Sequence, residues 1–123
     1  APDGAKPTGL AKQSLDLQRF PQARCLDGSP GAFYMAPASA GADSGWLIHL
    51  EGGGWCFSPH DCVLRKRPEL GLGSSLNYPD QCNDEPGSPC HWEGLASRDC
   101  AVSPDFCNFN HVFVKYCDAT SYS

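Results

Sequence analysis

The sequence predicts an α/β fold of which this chain holds only the N-terminal part. Three observations carry that expectation. Residues 46–50 (WLIHL) and 111–117 (HVFVKYC) are short apolar runs bounded by turn signals, the pattern of parallel-type strands buried on both faces. The first run leads directly into Gly52, Gly53 and Gly54, and a strand ending in glycines lets the backbone turn sharply where open α/β sheets bind ligands. Only one short helix is legible, so the helices needed to cover both faces of such a sheet are missing from these 123 residues.

The glycine triplet, followed at once by Trp55 and Cys56, brings bare N–H groups above the sheet. Two such groups suit the stabilisation of an oxyanion in acyl transfer, the task of the glycine-rich loop in lipases and esterases. Taken alone, a glycine triplet after a strand is more often a plain turn. A phosphate cradle has less support, because the chain contains neither GxxxxGK[ST] nor a GxGxxG that opens a helix.

Read in order, residues 1–12 (APDGAKPTGLAK) are polar and rich in Pro and Gly, and are expected to form a flexible N-terminal segment ahead of a domain part covering 13–123. Leu15, Leu17 and Phe20 alternate with polar residues, as at the start of an edge strand before Pro21. Two apolar stretches then flank a DGSPG turn at 27–31, a hairpin signal, and 36–45 is a small-residue linker. Beyond Phe57 a short helix is expected over 58–67, with Ser58 as cap, Pro59 at the first helical position and Asp61 in the first turn. Residues 71–93 lack periodicity and read as an ordered loop, and Asn108, Phe109 and Asn110 form a turn before the second strand.

A formal net charge of −5 with only nine Lys and Arg argues against nucleic acid or an anionic membrane as partner. No apolar run approaches the roughly 18 residues of a membrane span. The chain opens Ala1-Pro2-Asp3-Gly4 without a leader, which fits a processed secreted protein or a fragment. It has eight cysteines, at 25, 56, 62, 82, 90, 100, 107 and 117, with no CxxC pair among them. An even number at irregular spacing in loop-rich sequence points to disulfides in an oxidising compartment, not to a structural metal site.

Four segments in this order, CLDGSPGAFYMAP (25–37), WLIHLEGGGWCF (46–57), LGSS (72–75) and SPDFCNFNHVFVKYCDATSYS (103–123), resemble the pectin acetylesterase family, which also includes the Wnt deacylase Notum. The likeness runs from about residue 15 to the end, and GGGWC with LGSS leans to the plant-type members. The resemblance implies an α/β-hydrolase-like fold, incomplete here and disulfide-stabilised, and a Ser–His–Asp carboxyl-ester hydrolase without metal or cofactor. By resemblance, the N–H groups of Gly53 and Gly54 belong to the oxyanion hole and Trp55 walls the acyl pocket; Asp118 is a substrate-side candidate from its place at a strand end. The nucleophile elbow, acid and base of the family have no counterpart in residues 1–123, so the partner expected is a downstream segment or second chain carrying them. Resemblance and loop geometry pair Cys25 with Cys117 and Cys56 with Cys62, and proximity adds Cys82 with Cys90 and Cys100 with Cys107. Departures from the family pattern are Ala119-Thr120, Cys107 and a cysteine-bearing insertion at 76–93, which bear on substrate preference more than on fold.

None of the four histidines (His49, His60, His91, His111) sits beside a recognisable nucleophile, so each is assigned a structural or surface role. Ser121 and Ser123 lack an elbow and read as loop hydroxyls, and Trp46 and Trp92 as packing or surface aromatics. Glu51 falls at a strand end, where ordering the glycine loop is favoured over chemistry, while Asp118 is open between fixing its loop and lining the active site. The functional expectation is a secreted, extracellular or cell-wall esterase acting on acetylated, pectin-like polysaccharide. The alternatives are a Notum-like protein fatty-acyl deacylase and a catalytically inactive structural or carbohydrate-binding module.

Overall fold

A computed structural model describes residues 9–38, 45–83, 88 and 94–122. Its strands are β1 (Leu10–Ser14), β2 (Ala32–Ala36), β3 (Trp46–Leu50), β4 (Gln81–Cys82) and β5 (Asn110–Val114), with one α-helix, α1 (Pro59–Arg65). Single 3-10 turns occupy Pro68–Leu70 and Gly94–Ala96. The strands form a five-stranded sheet in the order β3-β5-β2-β1-β4. Asn110 N–H donates to the Gly45 carbonyl at the start of β3 and β5, and Glu51 N–H to Val114 at their ends, so these two strands run parallel. β1 and β4 are antiparallel, with Leu10 opposite Cys82 and Ala11 opposite Gln81. The sheet is therefore mixed, and no described helix is long and apolar enough to cross a membrane.

The chain divides into two compact units. In the first, Leu10, Tyr34, Ala36, Cys82 and Phe113 form the core, with Ala96 packed against them. Cys100 is bonded to Cys107, and His111 is buried with Nε2 2.9 Å from the Phe106 carbonyl. In the second, Cys25, Ala32, Tyr78 and Cys117 form a smaller core around the Cys25–Cys117 disulfide. That bridge holds the 27–31 turn near the end of the chain, and Leu26 N–H donates to the Cys117 carbonyl at 2.8 Å.

Several expectations change on contact with the structure. β3 is a strand, but it is not buried on both faces. It ends the row of described strands, and Trp46, Ile48 and Leu50 are 55%, 60% and 59% exposed because no described element covers that face. The first strand is Leu10–Ser14, so residues 10–12 of the segment expected to be loose are paired into the sheet, with Leu10 fully buried. Residues 1–8 lie outside the described residues. The strand expected from Leu15, Leu17 and Phe20 is instead a turn, because Asp16 draws the backbone back: its carbonyl accepts from Arg19 and Phe20 and its Oδ1 from Gln18 N–H. The hairpin at 23–35 has one strand, β2. Its other arm makes only an isolated antiparallel bridge between Arg24 and Pro30. Within the expected loop 71–93, Gln81 and Cys82 pair with β1; Cys82 is disulfide-bonded, but its expected partner Cys90 lies outside the described residues, as does most of the 36–45 linker.

The DGSPG turn and the LGSS segment explain each other. Asp27 Oδ1 accepts from Ser29 N–H at 2.9 Å and from Ser29 Oγ at 2.5 Å, and Ser29 Oγ in turn accepts from Ser75 N–H at 2.9 Å. Burial pushes the Asp27 carboxyl up, but hydrogen bonds from Ser29 and Ser74 outweigh it and hold the group below its ordinary value. Its contribution to stability is thus present above the ordinary aspartate range and is lost as pH falls through the lowered value. The Cys25–Cys117 bridge spans 92 positions. Replacing both cysteines by serine in the full-length protein is expected to cost about 4–5 kcal/mol on the chain-entropy model. Guanidinium unfolding reads this directly, and an unchanged midpoint would contradict it.

Candidate functional site

The loop after β3 is built from residues with little side chain of their own and is held by its neighbours. Gly54 sits at φ +69°, a conformation that an L side chain strains to adopt. Gly53 lies against the Tyr116 ring, where a Cβ would stand 2.6 Å from Cδ2. Gly52, Gly53 and Gly54 are all exposed. Among the described residues, no group accepts a hydrogen bond from their N–H groups.

The carbonyls of this loop are held instead. Gly54 C=O accepts from the Tyr116 hydroxyl at 2.6 Å and from Arg65 Nη1 at 3.2 Å, and Trp55 C=O from Arg65 Nη2 at 3.3 Å. Arg65 reaches them from the last turn of α1. This helix starts as its sequence predicts: Ser58 Oγ accepts from Asp61 N–H, Pro59 opens the first turn, and Asp61 Oδ2 accepts from Phe57 N–H at 2.9 Å. The Cys56–Cys62 disulfide ties the loop to that first turn. Trp55 is 60% exposed, and its indole N–H donates to Ser121 Oγ at 2.5 Å.

Glu51 joins β3 to the end of β5. Its Oε2 lies 2.7 Å from Lys115 Nζ, its Oε1 accepts from Tyr116 N–H at 2.9 Å, and its carbonyl accepts from the Tyr122 hydroxyl at 2.7 Å. Glu51 therefore orders the site through the chain beyond β5 and not through the glycine N–H groups. Asp118 fixes its own loop: Oδ1 accepts from Thr120 N–H at 3.0 Å and Tyr122 N–H at 3.3 Å. In that loop Ala119, Ser121 and Tyr122 hold φ of 59°, 56° and 63°, a cluster of left-handed non-glycine residues. Asp118, Tyr122, Arg24 and Phe33 also line a groove of about 200 Å3. Among the described residues, no three His, Cys, Asp or Glu side chains converge as metal ligands.

The site is thus a strand feeding an exposed glycine loop, a following helix pinned by a disulfide, and a parallel neighbour strand that leads into Tyr116-Cys117-Asp118. The Pectinacetylesterase family model covers residues 10–123. The chain belongs to the pectin acetylesterase family. It is 36% identical to pectin acetylesterase 5 of Arabidopsis thaliana, over 95% of this chain and 25% of that protein. The palmitoleoyl-protein carboxylesterase NOTUM of Schmidtea mediterranea is 32% identical over 90% of this chain and 20% of its own length. An inactive palmitoleoyl-protein carboxylesterase, notum1b of Danio rerio, is 31% identical over 91% of this chain and 73% of itself. Among solved structures, the Drosophila Wnt deacylase Notum superposes with a TM-score of 0.70 at 26% identity, covering 90% of this chain and 28% of that one. The chain thus spans about a quarter of the plant relative, and it has the start of the α/β-hydrolase-like fold of this esterase family.

For this pectin acetylesterase family member, the structure brings Gly53, Gly54 and Trp55 to one loop and links Trp55 to the 119–122 turn through Ser121. Asp118 supports that turn without contacting the glycines. Sequence reading missed Tyr116, Arg65 and Tyr122. Tyr116 had one legible signal, an aromatic with a polar tip two residues beyond a strand. Arg65 had none, because a basic residue in a last helical turn is ordinary helix chemistry.

Two outcomes follow from this wiring. Burial, then the charges of Glu51 and Asp118, push the Tyr122 phenol up to about 12. A phenol raised in the folded state contributes stability that is complete below its ordinary pKa of about 10 and is lost as pH rises through the raised value. Alkaline unfolding curves should therefore converge for the wild type and Tyr122→Phe as pH approaches about 12, having differed at neutral pH. Glu51→Ala leaves the Lys115 ammonium, whose side chain is only 7% exposed, without its carboxylate. Loss of one partner of such a pair costs about 3–5 kcal/mol, and thermal unfolding of the variant measures it.

Proposed function

We propose that this chain supplies the oxyanion loop of a secreted serine carboxyl-ester hydrolase that removes acetyl groups from pectin-like polysaccharide. The observation that carries this reading is that Gly53 and Gly54 are exposed residues whose N–H groups have no acceptor among the described residues, just beyond the carboxyl end of β3. Donors there suit the negative charge that develops on a carbonyl oxygen when a nucleophile attacks an ester. Trp55, exposed beside them, forms the wall against the acyl group, and Asp118 holds the neighbouring turn on the substrate side. Disulfides suit an extracellular or cell-wall setting.

The serine nucleophile, its histidine base and the orienting aspartate belong, in this reading, to a downstream segment or second chain of the same protein. That segment would pack on the apolar face of β3, where Trp46, Ile48 and Leu50 stand exposed. In the reaction the serine oxygen bonds to the acetyl carbonyl carbon as its proton passes to histidine. The N–H groups of Gly53 and Gly54 hold the resulting oxyanion, the sugar alcohol leaves with that proton, and water releases acetate. The catalytically silent reading has one observation in its favour, the match to 73% of an inactive Notum relative.

Proline is a poor probe of Gly54, because its fixed φ of about −65° cannot reach the φ of +69° seen here. Ribosomal incorporation of glycolic acid at position 54 of the full-length protein replaces the N–H by an ester oxygen and keeps the glycine geometry. Turnover of p-nitrophenyl acetate should fall about 100- to 1000-fold in a folded product, and unchanged turnover excludes the oxyanion role. Comparing acetyl with longer acyl esters separates deacetylation from fatty-acyl removal. A full-length protein that hydrolyses neither is the silent module. The isolated chain is expected to be inert in the same assay, lacking the groups that form an acyl intermediate.

A further inference from the structure

Tyr116 touches both donors' residues at once, with different parts of its side chain. Its ring lies against Gly53, where a Cβ would meet Cδ2 at 2.6 Å and Cε2 at 3.0 Å. Its hydroxyl donates to the Gly54 carbonyl at 2.6 Å and accepts from Ser121 N–H at 3.1 Å. Tyr116 is itself fixed: it is 4% exposed, its N–H is held by Glu51, and the Tyr122 ring lies 5.2 Å from its own.

A run of three glycines is the most permissive backbone the chain contains, and an oxyanion hole works only if its donors are already aimed. The Gly54 carbonyl shares its planar peptide with the Trp55 N–H, so holding that carbonyl fixes the backbone just after Gly54, next to the Gly53–Gly54 peptide that carries the Gly54 N–H. The Gly54 carbonyl has two such holders, Tyr116 Oη and Arg65 Nη1, which reach it from β5's continuation and from α1. The ring against Gly53 restrains the other side, so the Gly53–Gly54 peptide and its N–H are bracketed between two held points. Packing alone would be served by phenylalanine; the hydroxyl is what reaches the loop.

We propose that Tyr116 is the positioning residue of the oxyanion loop: its ring sets Gly53, its hydroxyl holds the Gly54–Trp55 peptide with Arg65 as the second holder, and the Gly54 N–H between these two points is thereby aimed. It contacts neither substrate nor reacting atoms. The proposal rests on the oxyanion reading of Gly53 and Gly54 and adds the device that keeps the Gly54 N–H aimed.

The test uses Tyr116→Phe in the full-length protein, which keeps the ring and removes the hydroxyl. Misaimed donors should lower kcat on p-nitrophenyl acetate about 10- to 100-fold, with KM within about a factor of two because ground-state binding is untouched. Arg65→Met, at a half-buried position less prone to disturb folding, should show the same split with a smaller fall. Combining Tyr116→Phe with glycolic acid at position 54 should cost no more than the glycolate alone, since Tyr116 acts through that residue. Wild-type kcat in a folded Tyr116→Phe protein, or losses that multiply in the combined variant, overturns the positioning role while the glycolate result stands. A glycolate substitution without effect overturns the oxyanion reading and this proposal with it.

Discussion

The ion pair between Glu51 and Lys115 is the interaction on which the rest of the second unit depends. It takes a carboxylate from the end of β3 and an ammonium from just past β5 and seats them 2.7 Å apart, with the lysine almost wholly out of water. Burying charge in this way is costly unless every polar atom is matched. Here the matching is unusually full for one residue. The other carboxylate oxygen takes Tyr116 N–H, the Glu51 N–H goes to Val114, its carbonyl takes the Tyr122 hydroxyl, and the lysine ammonium also lies 5.1 Å from the Tyr78 ring centre. Two of these bonds orient residues that reach the site: Tyr116, which holds the glycine loop, and Tyr122, which belongs to the turn beside it. The loop can thus be all backbone on the side facing solvent and still be ordered from behind.

This arrangement divides structural work between apolar and polar contacts. In the first unit, a cluster of Leu10, Tyr34, Ala36 and Phe113 packs as small cores usually do. In the second, the apolar cluster has four residues, two of them the halves of a disulfide. Cross-links and buried hydrogen bonds therefore carry what a larger core would elsewhere, as in other domains with little apolar interior. Strain is tolerated where these bonds are dense. Three consecutive-neighbourhood residues, Ala119, Ser121 and Tyr122, keep left-handed backbone angles under the grip of Asp118 and Tyr116.

What was legible in the sequence follows from how local each signal is. The α1 start was plain because Ser58, Pro59 and Asp61 act within one turn of one another. The strands β3 and β5 were plain because apolar runs between turn residues have few other uses. The burial of β3 was misjudged because apolar character says what a strand prefers to cover it, not what covers it. β1 was missed for a related reason: Leu10 is the only residue of LAKQS that reaches the core, and a single buried leucine makes no pattern. In the candidate site, the glycines were visible as a motif, whereas Tyr116 and Arg65 depend on contacts across 62 and 11 positions of chain. Such contacts are set by the pairing of β3 with β5 and by the direction in which α1 leaves the loop.

The exposed face of β3 has a practical side. A strand at the end of a sheet offers unpaired backbone groups to any similar strand, and natural proteins usually guard such edges with charge, proline or a bulge. WLIHL has none of these, and its three outward side chains are two large aliphatics and a tryptophan. A preparation of these residues by themselves therefore has a built-in route to self-association through strand addition, one that steepens with concentration and is blunted by a lysine at Ile48. Yield and monodispersity during purification, more than catalysis, would be the first properties to register what covers that edge.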